Sequence, residues 1–406
     1  MTLKMIKIVT HKRGAKAPLF FLREFGYNEA MIKLIHTADV HLGAKFLSFG
    51  EKANQQREQL KKTFENIINK AVEEKADFLL IAGDLFDANR VHQSLVDFVK
   101  TQFKKLKEND IQAVIIPGTH DCLSPDSVYL REGFAKEFPN VHVFNDPAVN
   151  FKIFEEFDLT IWAKPNVSNK STKSPVVKLE PKDKKTKYNI LMAHGSLQIP
   201  GKSSADAYPI AFEEIAYSGM DYVALGDWHS MADYSRGSVK AFYSGSPEII
   251  DLDQKGSGYV LLVEIAGETK ISPLKIGSRE VDELDISLDE IQDGSELREM
   301  ILKGNAPNLI RTVNIKGFSD PELAVIPDEL EEELQDKFFI LRINDVSHPK
   351  IELIEEKNYP PETVIGRFIR LMKERIGAAT TEEEKRIAEE ALRIGVAELE
   401  GKEVIE

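Results

Sequence analysis

Five short groups of side chains in this 406-residue sequence have types and spacing suited to holding metal ions. They are Asp39-Val40-His41, Gly83-Asp84, Gly118-Thr119-His120-Asp121, His194-Gly195 and Gly226-Asp227-Trp228-His229. Two divalent cations about 3.5–4 Å apart call for a bridging carboxylate, with imidazole and oxygen donors completing each set of ligands. Asp84 is the candidate bridge. Such a pair lowers the pKa of a water to about 7 and neutralises phosphoryl oxygens, so the chemistry indicated is metal-assisted phosphate-ester hydrolysis. Gly83, Gly118 and Gly226 are expected to let the backbone turn sharply beneath the ions. One Asp-x-His group means little alone, because Asp often caps a helix and a lone His is more often a packed or surface residue. Five groups, each following an apolar run, make a metal site the better reading.

Ligands of this kind need strand ends to carry them, which is where open α/β sheets place their sites. Residues 32–38 read as the first strand. Residues 57–74 put Leu60, Phe64, Ile67, Ile68, Ala71 and Val72 at helical spacing, and 78–81 then form a buried strand. A second helix over 91–109 leads to a strand over 113–116, and 141–144 adds a shorter one. Strands over 189–193, 222–225, 241–243 and 259–265 have short connections and suggest a second sheet. The expectation is an α/β domain of two packed sheets flanked by helices, with a parallel-type core. Residues 280–350 change character, with strands over 309–315 and 338–343 flanking an acidic helix over 328–335. After Pro360-Pro361 come two helices. One carries Val364, Ile365, Phe368, Ile369 and Met372; the other is capped at Thr380 or Thr381 and carries Ile387, Ala391 and Leu392. The organisation expected is an extension over 1–30, a catalytic domain over 31–279, a small α/β cap over 280–355 and a helical segment over 356–406.

Hydrophobic residues make up 42% of the chain, and no apolar run approaches the roughly eighteen residues needed to span a bilayer. The single cysteine, Cys122, rules out an internal disulfide and a cysteine-based zinc cluster, which fits a reducing, cytoplasmic setting. The patch Pro18-Leu19-Phe20-Phe21-Leu22 is too short for a signal-peptide core, so export is not expected. Met31 directly precedes the first strand, and the thirty residues before it are read as a dispensable extension or a misassigned start. The net charge of −14 is unevenly spread: residues 280–406 hold 32 acidic and 16 basic side chains, leaving the preceding residues at +2. The first two-thirds of the chain can therefore face a polyanion without strong repulsion, although near-neutral charge does not itself indicate one.

Over roughly residues 31–265 the sequence resembles the calcineurin-like metallophosphoesterases, through Asp-x-His, Gly-Asp, Gly-x-His-Asp, His-Gly and a closing Gly-x-x-His. Within that family, 36–43 (HTADVHLG), 82–87 (AGDLFD) and 243–248 (YSGSPE) resemble the SbcD-type nucleases, whose eukaryotic equivalent is the meiotic-recombination-eleven nuclease of double-strand-break repair. The resemblance implies a four-layer α-β-β-α sandwich. It also implies that Asp39, His41, Asp84 and His229 hold one metal, that Asp84, Thr119, His194 and Asp227 surround the other, and that His120 assists the transition state or leaving group. The family pattern has Asn where Thr119 stands and His where Asp227 stands, so both departures fall on one metal. An oxygen-rich second site of this kind favours manganese, or magnesium, over zinc, with iron a further alternative. DNA, an SbcC-type coiled-coil ABC ATPase docking on the C-terminal helices and a homodimer are the partners implied; no membrane is.

Asp87 and Asp121 adjoin the motifs and are read as acceptors that orient ligands rather than as ligands. His36, on the first strand, is read as a core or orienting residue, and His11, His92, His142 and His348 as structural or surface residues. Cys122 is read as a small packed residue. The lysine-rich stretch 164–188, with Lys182, Lys184, Lys185 and Lys187, has two readings: a contact with phosphate backbones or a solvated loop, the latter being the commoner fate of charge runs. Function likewise has three: a DNA-repair nuclease, a general phosphodiesterase, or a DNA-binding scaffold whose site has degenerated at Thr119 and Asp227.

Overall fold

The computed structural model describes residues 31–177, 184–201, 203–319, 326–349 and 359–400. The extension over 1–30 and Lys182 lie outside the described residues. Two six-stranded sheets form the centre. The first has the order β12-β11-β1-β2-β3-β4, built from β1 (Ile32–Thr37), β2 (Phe78–Ala82), β3 (Gln112–Ile116), β4 (Val141–Val143), β11 (Tyr259–Ala266) and β12 (Glu268–Lys275). The second has the order β5-β6-β7-β8-β10-β9, built from β5 (Phe151–Phe154), β6 (Leu159–Ala163), β7 (Tyr188–His194), β8 (Tyr222–Gly226), β9 (Ala232–Asp233) and β10 (Lys240–Tyr243).

The near-continuous apolar runs of β2 and β3 are explained by burial on both faces. Alternate residues Leu34, Phe78, Leu80, Ala82, Val114 and Ile116 meet Leu159, Ile161, Ile190, Met192 and Ala224 of the other sheet in one core. The intervening Ile35, Leu79, Ile81, Ala113 and Ile115 point the other way, to α1 (Ala53–Glu73) and α2 (Gln93–Glu108). Helix α1 buries Leu60, Phe64, Ile67, Ile68 and Ala71, as its spacing requires, and starts four residues earlier than the periodicity indicates. His92 caps α2, its side chain accepting from Ser94 N. The outer face of the second sheet is covered by the five-residue helix Phe212–Ala216 and by loops, with Val176 and Val177 packed into that core. The lysine-rich stretch is therefore anchored at Val176 and Val177.

The two sheets are less uniformly parallel than expected. Strands β1–β4 run parallel, as do β6, β7, β8 and β10, but β11 and β12 pair antiparallel on the first sheet and β5 and β9 on the edges of the second. Hydrophobic periodicity specifies faces, not direction, so this was not readable. What positions the site is the shared ending: β1, β2 and β3 finish level, and β7 finishes level with β8, His194 pairing with Gly226.

Beyond β12, the strands Glu280–Ser287, Leu309–Lys316 and Ile340–Asp345 form a three-stranded parallel sheet with the helices Gly294–Leu302 and Pro327–Leu334. It has its own core, including Ile286, Leu297, Ile301, Val313, Leu330 and Ile343. This unit leans on the first sheet through Ile310 and Phe339. The helices Val364–Gly377 and Glu382–Leu399 pack on each other through Ile369, Met372, Ala388, Leu392 and Val396. Thr381 caps the second of them, its hydroxyl accepting from Glu384 N.

Candidate metal centre

The chain leaves β1, β2 and β8 by tight turns that throw their polar side chains into the cleft between the sheets. Asp39, His41, Asp84 and Asp227 all have φ between +50° and +106°, the left-handed region that side chains other than glycine rarely enter. Such residues cost on the order of 1–3 kcal/mol each and persist where the surrounding structure imposes them, commonly at functional sites. Backbone pairing does so here: Asp39 N donates to Gly83 O, His41 N to Asp84 O, and Asp227 N to both Asp39 carboxylate oxygens at 3.1 Å. Of the three glycines, only Gly83 supplies a positive φ. Gly118 and Gly226 are there for room, since a Cβ on either would collide with the Asp84 carboxylate or the Ala82 carbonyl. The turning expected of those two is done by the ligands themselves.

Asp84 is the hub. Its Oδ2 lies 3.2 Å from His194 Nε2, 3.8 Å from His41 Nε2 and 3.1 Å from the Thr119 hydroxyl, while its Oδ1 accepts from His120 N at 2.8 Å. Asp39, His41 and His229 bring one donor atom each within 4.8 Å of one another, and so do Asp39, Asp84 and His194. Asp227 lies 3.9 Å from His194 Nε2. The seven residues Asp39, His41, Asp84, Thr119, His194, Asp227 and His229 thus meet at one place, with His120 at its mouth.

The imidazoles are held in the tautomer a metal needs. His194 Nδ1 donates to the Ala82 carbonyl at 2.8 Å, and His41 Nδ1 to Asp87 at 3.1 Å, leaving each Nε2 for the centre. Both Nε2 atoms are buried without a hydrogen-bond partner. Two orphaned imidazole nitrogens facing three carboxylates are the donor set of a divalent cation, so the residues present fit a metal pair. Asp87, His41 and His120 also bring donors together, but Asp87 faces the Nδ1 of His41, so it orients that ring.

The electrostatics agree. Burial alone would raise the Asp84 carboxyl, but His194 and His41 hold it far below the usual carboxylate range. Burial lifts Asp39 to about 7, and His194 only partly offsets this. His194 runs the other way: burial would depress it, but Asp84, Asp39 and Asp227 raise it well above an ordinary histidine. Burial and the neighbouring His41 push His229 down to about 3, leaving it neutral. Carboxylates and imidazoles coupled in this way share protons, a balance that a bound divalent cation would take over.

Asp121 does not reach the centre. It accepts from Gly118 N, Phe86 N and Tyr129 Oη, tying the loop of Thr119 and His120 to that of Asp84. His36 lies buried between the sheets, its Nδ1 2.8 Å from Tyr222 Oη, and Cys122 is buried. Lys184, Lys185 and Lys187 are placed at the opposite end of β7 from His194, on the order of 20 Å away for a seven-residue strand. Lys184 bonds the Gly219 carbonyl, and Lys185 and Lys187 lie over the rings of Phe151 and Tyr188. Their sequence neighbourhood to His194 misleads because a strand intervenes.

Sequence reasoning missed three supports. Ser196 donates to Asp227 and itself accepts from Trp228 Nε1 at 3.1 Å; Asn166 Nδ2 donates to the His194 carbonyl at 3.0 Å; Tyr243 Oη donates to Gly195 O at 2.6 Å. Only Tyr243, which opens the 243–248 run, carried a signal.

With the donors assembled, residues 32–231 match the calcineurin-like phosphoesterase family. This chain carries a calcineurin-like phosphoesterase domain. The chain is 30% identical over 253 residues to the uncharacterized metallophosphoesterase YhaO of Bacillus subtilis, a match covering 57% of each chain. It is 25% identical over 313 residues to the DNA double-strand break repair protein Mre11 of Sulfurisphaera tokodaii, covering 74% of this chain and 77% of that one. To the protein of the same name from Sulfolobus acidocaldarius it is 25% identical over 288 residues, covering 68% and 72%. The chain thus spans little more than half the length of YhaO.

Proposed function

We propose that this phosphoesterase is a DNA nuclease that hydrolyses phosphodiester bonds in double-strand-break repair, using two divalent metals of which manganese is the working choice. The observation that carries the reading is the placing of Asp84, at the join of an Asp39–His41–His229 group and a His194–Asp227–Thr119 group. The similarity to Mre11 proteins supports DNA as the substrate. When bound, the metals supply charge to neutralise phosphoryl oxygens and a nucleophile from water near neutral pH.

The protein's own residues do the rest. Asp39, Asp84 and Asp227 supply negative charge in a site walled by two packed sheets, and the His194 and His41 rings are locked by Ala82 O and Asp87. His120 is the exposed member, its side chain 49% accessible, with Nδ1 3.1 Å from the Asp87 carbonyl. It stands edge-on to His41, at 4.7 Å between ring centroids, so it can meet a substrate oxygen at the mouth and donate a proton as the bond breaks. The unit over 280–345 acts as a cap that positions DNA. The C-terminal helices leave Val364, Leu371 and Ile387 exposed, a face suited to an SbcC-type ATPase. A homodimer and a cytoplasmic location complete the proposal; no helix among the described residues is long and apolar enough to cross a membrane.

A second reading is a general phosphodiesterase acting on nucleotides or small esters, since the family match and the similarity to the metallophosphoesterase YhaO name phosphoester chemistry without naming DNA. The two separate on substrate preference. Turnover of duplex DNA well above that of a small chromogenic diester under the same conditions supports the nuclease; the reverse order supports the general enzyme. Metal uptake with turnover of neither moves the assignment to a scaffold.

A further inference from the structure

A polar cavity of about 290 Å³ opens where the first sheet meets the cap, lined by Lys255, Ser257, Tyr259, Lys275, Arg279 and Glu280 among others. Its place in the sheet is informative. Tyr259 opens β11 and pairs with Lys275, which closes β12, and β11 runs antiparallel to β1. The cavity therefore lies on the same sheet edge as Asp39 and His41. At about 4.8 Å between strands, it is on the order of 10 Å from them. The loops are shared as well. Ser246 N and Gln254 Nε2 both donate to the carbonyl of His229, and Met231 N donates to Gly256 O.

Two cationic groups on the cavity, Arg279 and Lys275, make no ion pair among the described residues. Arg279 is only 7% exposed, yet its guanidinium bonds only neutral oxygens, Gln56 Oε1 at 3.1 Å and Asn308 Oδ1 at 2.6 Å, and lies 3.4 Å from the Phe339 ring centroid. The nearby Glu248 carboxylate instead accepts from Thr63 Oγ1 and from the backbone N–H groups of Ile249, Ser278 and Arg279. The Lys275 ammonium stands 5.0 Å from the Tyr259 ring, with no carboxylate in ion-pair reach among the described residues. The Ser257 hydroxyl is buried, the residue 5% exposed, and has no hydrogen-bond partner. Against these, Lys255 is already paired with Glu283 at 3.0 Å and Glu280 adds one negative charge to the rim. A buried guanidinium bonded only to neutral oxygens, with Glu248 nearby but engaged elsewhere, an ammonium with no ion-pair partner among the described residues, and an unused hydroxyl around one cavity are what an oxyanion needs.

We propose that this cavity is a phosphate subsite that holds a backbone phosphate of the DNA strand whose scissile bond lies at the metal centre. The separation corresponds to about one or two phosphates along a strand, because the backbone winds around the axis as it rises about 3.4 Å per nucleotide. The proposal rests on the nuclease reading and deepens it: Lys275, Arg279 and Ser257 set how far from the scissile bond the enzyme grips its strand, and a small diester cannot reach them.

The test is equilibrium binding of a labelled duplex oligonucleotide to the full chain in EDTA, across a salt series, for the parent, Lys275→Ala and Lys275→Arg, with inorganic phosphate as competitor. Each phosphate contact contributes about 0.9 to the slope of log affinity against log salt, so Lys275→Ala is expected to lose about one unit of slope. Several-fold weaker binding at low salt and weaker competition by phosphate should accompany that loss, and Lys275→Arg should restore both. Manganese uptake at the parental stoichiometry identifies a variant whose fold is intact. If the parent binds DNA and Lys275→Ala binds it with the same slope, the subsite is overturned while the nuclease reading stands. If Lys275→Ala loses only phosphate binding, the cavity serves free phosphate and the DNA assignment is overturned. A parent that does not bind DNA overturns both.

Discussion

On one side of Asp84, the Asp39, His41 and His229 group is rich in nitrogen donors, with His41 fixed by Asp87 and His229 held neutral by burial and by His41. On the other side stand His194, the Asp227 carboxylate and the Thr119 hydroxyl, which donates to Asp84. A neutral hydroxyl is a poor ligand and a carboxylate a hard one. The second half should therefore hold its cation less tightly than the first and prefer manganese or magnesium to zinc. On the proposed reading, the centre keeps its shared carboxylate while one half exchanges an imidazole for a carboxylate, which adds a negative charge on that side.

The sharpest way to break that comparison is to remove the residue common to both halves. Asp84→Ala should lower manganese-dependent cleavage of end-labelled duplex DNA by on the order of 10³-fold or more, beyond the 10²–10³ typical of one lost transition-state donor. A variant retaining a tenth of parental activity would mean Asp84 is not the hub.

The next effect is pH dependence. The Asp39 carboxyl, lifted to about 7 by burial, prefers its proton in the folded metal-free protein. Its contribution to stability is thus present at low pH and lost as pH rises through about 7, whereas depressed Asp84 contributes above its unfolded value and loses that as pH falls. A cation needs Asp39 ionised and His194 neutral, so metal affinity should fall about tenfold or more per pH unit below 7, with proton release on binding. Calorimetry in buffers of different ionisation enthalpy measures the protons; none released between pH 6 and 7 would contradict the shared-proton picture.

Smaller is the loss of an orienting group. Asp87→Asn should weaken the nitrogen-rich half alone, by about 10- to 100-fold in metal affinity, as lost carboxylate–imidazole partners usually do. Replacing Lys184, Lys185 and Lys187 by Ala should leave the salt dependence of DNA binding unchanged, since they sit at the far end of β7. A flattened slope would return them to the DNA path.

The candidate site positions were legible because each follows an apolar run, and a strand that ends in a polar group must present it at the sheet edge. That logic located Asp39, Asp84, His120, His194 and His229 without any contact information. It could not find Ser196 or Asn166, which act through hydrogen bonds to Asp227 and His194 that form only once distant loops fold together. Nor could it see that the ligands themselves, not Gly118 and Gly226, take the left-handed backbone. The strands β5, β6, β9, β12 and Glu280–Ser287 went unread, β12 because its exposed edge alternates too weakly to mark a face, being at most half-buried throughout. The charge asymmetry was readable. The buried Arg279, whose guanidinium bonds only neutral oxygens, was not, because only the packing of the cap against the first sheet reveals its partners.

Titrating manganese into metal-stripped protein, in parallel with an Asp227→His variant, tests the asymmetry of the centre directly. Two ions should bind the parent with clearly unequal affinity, and Asp227→His should tighten the weaker one, on the order of tenfold, for zinc in particular. Two equally tight ions in the parent, or a single site indifferent to Asp227, would contradict a centre divided at Asp84.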